Sequence, residues 1–367
     1  MTRTQGLTAH RSPAGRPARR ILQGRRRRRG RNHRVDFLRD ESSTPASSAS
    51  AGPASFGTAS IQLSWIKNTE FMGEFLADSN GDFTKAGFDS VDLIAGPASA
   101  EAGVISGTVD LGIGNAISTG TVIANEGAPI KIIGATYQKN PFSILSLAKV
   151  GNIKTLADLK GKKIGVQASN QSLWDAFLKV NNIDPTSLTT VPVEYDPTPL
   201  FNGEVDGWFS YLTNEGIDAD LKGLGPVNLP LADNGLPFVA ETFTASDKEI
   251  SGDRAKLKGL LIAEIKGWAA AIKDPAAAAK LTIDKYGADL GLTIAKETKQ
   301  ATIQSTDLIV SDDTAKNGLF TISDKLQSES IKTLAAAGVT ITADKLFDMS
   351  LLSEVYAENP DLVNYAK

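Results

Sequence analysis

Carboxylates, amides and a few aromatic rings are the groups in this chain whose chemistry could build a site. Both histidines, His10 and His33, lie before residue 40, and there is no cysteine. Residues 40–367 therefore cannot assemble a Ser-His-Asp or Cys-His constellation, a thiolate nucleophile, or a zinc site with nitrogen or sulfur ligands. Carboxylate chemistry and a hard cation on oxygen ligands remain open. No Gly-rich phosphate loop followed by Lys-Ser/Thr is present, and no calcium loop. We expect no catalytic residue, no bound metal and no cofactor.

The strongest spatial clue is a phrase that occurs twice, Gly107-Thr-Val-Asp110 and Gly203-Glu-Val-Asp206. The glycine suits the left-handed residue that ends a helix, and the valine suits the strand that follows. Strand-like runs Val109–Ile113 and Val205–Leu212 follow, ending in polar tips at Gly114-Asn115 and Thr213-Asn214-Glu215. Ligands of open α/β sheets bind beyond the carboxyl ends of strands. Two such tips point to two similar lobes facing one cleft; two unrelated helix-Gly-strand turns would read the same way.

Charge divides the chain. Residues 1–39 hold 13 arginines against one acid, Asp36, leaving 26 basic and 41 acidic residues in 40–367. The acidic body does not suit phosphate binding, so no nucleic acid is expected on it. Arg25–Arg29 is unbroken, and Ser42–Ala59 is a tether of small residues. Three readings of this arm stand: a basic arm for nucleic acid or acidic lipid, a segment with no function, and a misassigned start or frame error upstream of roughly residue 41. The tether is similar to the spacer after the lipidated cysteine of bacterial surface lipoproteins, yet no apolar signal region or cysteine precedes it. No apolar run is long enough to span a bilayer.

The elements that must position a site alternate between strand and helix. Ser60–Trp65, Gly87–Ile94, Ile130–Tyr137, Phe142–Ala148, Lys163–Val166, Val191–Glu194 and Val239–Thr244 read as strands. Helices are expected over 99–106, 119–126, 155–160, the stretch carrying Leu173, Trp174 and Phe177, and 253–273, where Leu257, Leu260, Leu261, Ile265 and Trp268 keep helical spacing. Further helices are expected over 275–286, 293–308, 321–336 and 348–357, packing back on the first lobe. The fold class is α/β with mostly parallel sheets.

Residues 58–357 resemble a solute-binding protein of an ABC importer with the type II periplasmic-binding fold, in the branch grouped with nitrate, taurine and thiamine-pyrimidine-precursor binding. The matching segments are Leu63-Ser-Trp-Ile-Lys-Asn-Thr69, Gly81-Asp-Phe-Thr-Lys-Ala-Gly-Phe88, Gly107-Thr-Val-Asp-Leu-Gly-Ile-Gly114, Gly127-Ala-Pro-Ile-Lys-Ile-Ile133 and Tyr137-Gln-Lys-Asn-Pro141. They continue with Leu156-Ala-Asp-Leu-Lys-Gly-Lys-Lys-Ile-Gly-Val166, Tyr195-Asp-Pro-Thr-Pro199 and Asn214-Glu215. The Trp-x-x-Asn opening and the Asn-Glu pair are similar to the pyrimidine-precursor branch rather than the sulfonate branch.

The resemblance implies two lobes joined by two crossings, at Asn140–Ser146 and Glu241–Ser246. It implies a tail of 1–57, a first lobe of 58–142 plus 245–367, and a second of 143–244. It also implies an extracytoplasmic, non-enzymatic monomer that closes on a small, pyrimidine-precursor-like molecule and presents it to ABC permease subunits. The alternatives are a sulfonate or nitrate binder and a pyrimidine-synthesising enzyme of the same fold, which uses its own histidine and cysteines.

Candidate ligand contacts follow from position. Trp65 could stack on a flat ring or be ordinary core, and Asn68 could contact ligand or cap a helix. Asn115 and Ser118 occupy the first lobe's strand tip, and Tyr137 adjoins a crossing. Asn170 and Gln171 open a helix whose free N–H groups face the tip. Glu215 is a carboxylate at a strand tip, costly in a closed cleft unless an amino donor pairs with it. Trp174 and Trp208 read as core or cleft wall, and Trp268 as core.

Overall fold

Each copy of the repeated phrase makes the same contact in a different sheet. The Asp110 carboxylate accepts the backbone N–H of Ser60 at 2.8 Å, and the Asp206 carboxylate accepts that of Lys163 at 2.9 Å. In return the Asp110 N–H bonds Ser60 O at 3.1 Å and the Asp206 N–H bonds Lys163 O at 2.8 Å. The preceding glycines sit at φ 71° and 74°, where a side chain would be strained. The repeat is therefore a clip that sets the register of the middle of the three parallel strands of each sheet.

The computed structural model describes residues 55–365, within a compact unit that spans Ala51–Lys367. The Arg-rich run and residues 42–54 of the tether lie outside the described residues. Ten strands are described: β1 (Gly57–Gln62), β2 (Phe88–Ile94), β3 (Leu111–Asn115), β4 (Ile130–Tyr137), β5 (Phe142–Leu147), β6 (Lys163–Gln167), β7 (Thr189–Val193), β8 (Gly207–Tyr211), β9 (Pro226–Pro230) and β10 (Ala240–Ser246). They form two five-stranded sheets of the same design, ordered β2-β1-β3-β10-β4 and β7-β6-β8-β5-β9. In each, three strands run parallel and the fourth lies antiparallel to both of its neighbours. Helices flank the sheets, giving the two-lobed α/β architecture of periplasmic binding proteins.

Local chemistry explains the helix ends. The helix Ala100–Ser106 is capped by Ser99, whose hydroxyl accepts the Ala102 N–H, and is closed by Gly107. The helix Ala116–Glu126 starts three residues earlier than its apolar pattern indicates, because Asn115 caps it through the N–H groups of Ile117 and Ser118. Arg254–Lys273 forms one long helix. It crosses the helix Met72–Ser79 closely enough that a Cβ on Gly267 would lie 2.1 Å from the Gly73 carbonyl oxygen. Trp174, Trp208 and Trp268 are buried core residues, as their positions indicate.

Three expectations change. The tether was expected to reach Ala59, but Gly57–Ala59 already pair with β2, because Phe56 seats its ring on Phe88 and anchors the strand early. β1 ends at Gln62 instead of Trp65, leaving Ser64 and Trp65 in the loop beyond it. The crossings expected at Asn140–Ser146 and Glu241–Ser246 both lie upstream, because β5 belongs wholly to the second sheet and β10 wholly to the first. β9 had no strand signal at all. Its ends are prolines, tolerated because the strand lies on a sheet edge.

The carboxyl-terminal helices pack on β4, where the Ala135 N–H bonds Phe320 O at 3.0 Å and the Gln138 N–H bonds Leu308 O at 2.7 Å. They also reach the other lobe. Lys296 pairs with Asp218 at 2.7 Å, Lys299 pairs with Asp220, and Lys179 Nζ bonds Ala337 O at 2.9 Å. No helix among the described residues is long and apolar enough to cross a membrane.

Candidate functional site

A cavity of about 420 Å³ lies between the two sheets. The loop beyond β1 contributes Ser64, Trp65 and Glu70, and the tip of β3 contributes Ile113–Asn115. The second lobe contributes Gln167 at the end of β6, Asn170 just beyond it, Tyr195 after β7, and Ser210, Tyr211 and Glu215 around the end of β8. The walls are thus the carboxyl ends of the parallel strands of both sheets. Trp65 and Tyr195 meet across the mouth, edge to face, with centroids 4.5 Å apart.

Five sequence candidates line this cavity: Trp65, Asn115, Ser118, Asn170 and Glu215. Most are also engaged structurally. Asn115 spends its amide oxygen on the helix cap, and Ser118 donates to Glu101 Oε1 at 2.6 Å. Asn170 donates to Gln167 Oε1 at 2.9 Å. Glu215 accepts the Tyr211 N–H at 3.0 Å, and burial holds its carboxyl up at about 7, against hydrogen bonds from its own and the Tyr211 backbone.

Asn68, Tyr137 and Gln171 take up other places. The Asn68 amide oxygen caps the next turn by accepting the Glu70 N–H at 3.0 Å. Tyr137 is wholly buried and donates to Gln304 Oε1 at 2.9 Å. Gln171 donates to Asp175 Oδ1 at 2.8 Å on the exposed side of its own helix.

The floor of the cavity holds what the sequence reading missed. Glu70 lines it, and behind Glu70 lies Glu241, both buried. Ser64 donates to Glu241 Oε2 at 2.8 Å and the Tyr211 hydroxyl donates to Glu241 Oε1 at 3.0 Å. Burial first, then the charge of Glu241 and a hydrogen bond to it, raises the Glu70 carboxyl well above the carboxylate range. Burial raises the Glu241 carboxyl as well, opposed by hydrogen bonds from Ser64, Glu70 and Tyr211. Glu241 stands at φ 45°, at a register shift between Ala240 and Thr242 of β10. One signal was available: Glu241 is the single charged residue of an otherwise apolar and hydroxyl-bearing strand.

Glu70, Glu101 and Glu215 are the ionisable carboxyls on the wall, and no Lys, Arg or His is among the lining residues. Among the described residues there is also no group of three His, Cys, Asp or Glu side chains that could hold a metal. The chemistry on offer is hydrogen bonding and stacking, with negative potential that grows as Glu215 ionises above about 7.

Comparison with known proteins locates this architecture. The chain is 31% identical over 152 residues to a Haemophilus influenzae protein named for thiamine biosynthesis, covering 40% of this chain and 48% of that one. It is 34% identical over 130 residues to an Escherichia coli protein named for binding aliphatic sulfonates, covering 32% of this chain and 38% of that one. The chain thus spans less than half the length of each of these curated relatives. Among solved structures, it superposes on the E. coli periplasmic aliphatic sulphonate binding protein SsuA with a TM-score of 0.59 at 18% identity, over 84% of this chain and 94% of that one. The periplasmic nitrate-binding protein NrtA of Synechocystis gives 0.57 at 12%, over 83% and 90%. The desulfurization enzyme DszB gives 0.56 at 14%, over 82% and 99%, so the fold alone does not separate binding from catalysis. The family model described as NMT1/THI5 like matches residues 68–278, and the chain belongs to that family.

Proposed function

We propose that the chain is the extracytoplasmic solute-binding component of an ABC importer, a monomer that captures a small, flat, uncharged or cationic heteroaromatic bearing N–H donors. An aminopyrimidine-like molecule is our candidate. The observation that supports this reading is the cavity wall itself, with carboxyls at Glu70, Glu101 and Glu215, aromatic rings at Trp65 and Tyr195, and no basic side chain. Trp65 would stack on the ring, Glu215 would accept from an exocyclic amine, and Asn115, Ser118 and Asn170 would complete the polar rim. The volume suits a small heteroaromatic.

Two relatives in fold bind anions, but this wall is built for the opposite charge. A sulfonate or nitrate about 4 Å from Glu215 in its ionised form, which prevails above about pH 7, is repelled by roughly 4 kcal/mol at an effective dielectric near 20. An enzymatic role has no support from residues 40–367, which lack histidine and cysteine. Calorimetric titration with 4-aminopyrimidine, taurine and nitrate tests the reading. We expect only the first to bind; tighter binding of either anion, or steady conversion of the pyrimidine to product, overturns it.

A further inference from the structure

We propose, building on that cleft assignment, that Glu70 is a specificity-determining residue: backed by Glu241, it selects cations of the amidinium class over their neutral isosteres. Glu70 is 2% exposed and Glu241 3%. Their partners are neutral hydroxyls: Ser64 reaches Glu70 at 3.4 Å and Glu241 at 2.8 Å, and Tyr211 reaches Glu241 at 3.0 Å. A buried carboxyl pair is ordinarily matched by a cation from the protein. Among the described residues neither carboxyl is in an ion pair with Lys, Arg or His, and Glu70 opens onto a cavity with no basic side chain among its lining residues.

The groups that face the pair from neighbouring elements are acids or phenols: Glu215, Glu74, Tyr137 and Tyr211. Lys296 is felt by Glu215 but is itself paired with Asp218 at 2.7 Å. Two buried carboxyls side by side keep one proton between them. An amidinium presents parallel N–H donors and a positive charge, so it can take the place of that proton and leave both carboxyls ionised. Ligand capture then releases the proton to solvent. Glu241, at φ 45°, accepts from Ser64 of the first lobe and from Tyr211 of the second, so both carboxyls belong to the first lobe and only the Tyr211 bond depends on the lobes meeting.

The test compares three probes with the full chain at pH 7: benzamidine, its flat neutral isostere benzamide, and 4-aminopyrimidine. Benzamidine should bind at least about tenfold tighter than benzamide. Calorimetry in buffers of different ionisation enthalpy should show release of on the order of one proton with benzamidine. Glu70→Gln should bring benzamidine down to the level of benzamide, whereas Glu215→Gln should keep the preference. If benzamidine and benzamide bind alike while 4-aminopyrimidine still binds, the role of Glu70 is wrong and the cleft reading stands. If the preference follows Glu215 instead, the role of Glu70 is likewise wrong. If none of the three binds, both readings fall. The wild-type comparison needs no variant, so it decides the matter even if Glu70→Gln does not fold.

Discussion

Tyr211 and Glu241 join the two lobes through one hydrogen bond, hydroxyl to carboxylate, at 3.0 Å. Tyr211 ends β8 in the second sheet and Glu241 lies in β10 of the first. Burial and the Glu241 charge push the Tyr211 hydroxyl up, so it stays a donor at every physiological pH. Tyr211→Phe removes this tie without changing shape. A lost hydrogen bond to a charged group costs about 1.5–3 kcal/mol, part of it as easier opening of the cleft. We expect small-angle scattering of the unliganded variant to give a larger radius than the parent. An unchanged radius would show that the other bridges close the lobes by themselves.

Glu215 makes ligand capture depend on pH. Its carboxyl is held at about 7 by burial, so it is largely protonated at pH 6 and largely ionised at pH 8. A neutral ligand that donates N–H to it should bind up to about tenfold tighter at pH 8 than at pH 6. Glu215→Gln should flatten that profile and weaken binding by roughly 1.5–3 kcal/mol. A parent profile that falls with rising pH would place the donor on the protein, against this assignment.

Trp65 contributes contact area without being needed for the fold, because its ring is only half-buried and leans on Tyr195. Trp65→Ala should weaken 4-aminopyrimidine by about 1–3 kcal/mol with an unchanged melting temperature to within a degree or so. A large drop in melting temperature would identify Trp65 as core instead.

A second carboxyl pair sets the stability profile. Glu74 accepts from Trp268 Nε1 at 3.2 Å, while both oxygens of the buried Glu264 have no partner among the described residues. Burial holds Glu74 at about 8 and, with the Glu74 charge, raises Glu264 well above the carboxylate range. In the unfolded chain both ionise above about pH 4.3. Between that value and the raised folded values the folded state binds more protons, so stability falls as pH rises. The melting temperature should be higher at pH 5 than at pH 8 by at least about 2 °C. Glu264→Met, similar in length and without buried charge, should recover part of the difference at pH 8. Equal melting temperatures at the two pH values would mean that ordered water or a cation satisfies these carboxyls.

The arrangement of this protein was partly legible one residue at a time. Gly107 and Gly203 mark helix ends because only glycine takes a left-handed backbone without strain, and Asp110 and Asp206 follow at the same offset. Periodicity located the helix Arg254–Lys273, and the missing histidine and cysteine narrowed the chemistry. These signals are local, so chain order suffices to carry them. β9 was silent because its prolines and polar residues suit an edge strand whose partner, β5, lies far back in the chain. The cavity floor was silent for the same reason. Glu70 reads as a first-turn acid and Glu241 as one charge in a strand, 171 positions apart. Only packing of the two sheets takes both out of water and sets them beside Ser64 and Tyr211, with no basic side chain paired to either among the described residues. Burial and proximity are properties of the folded chain, and they decide that both carboxyls are raised above the usual carboxylate range beside the cleft.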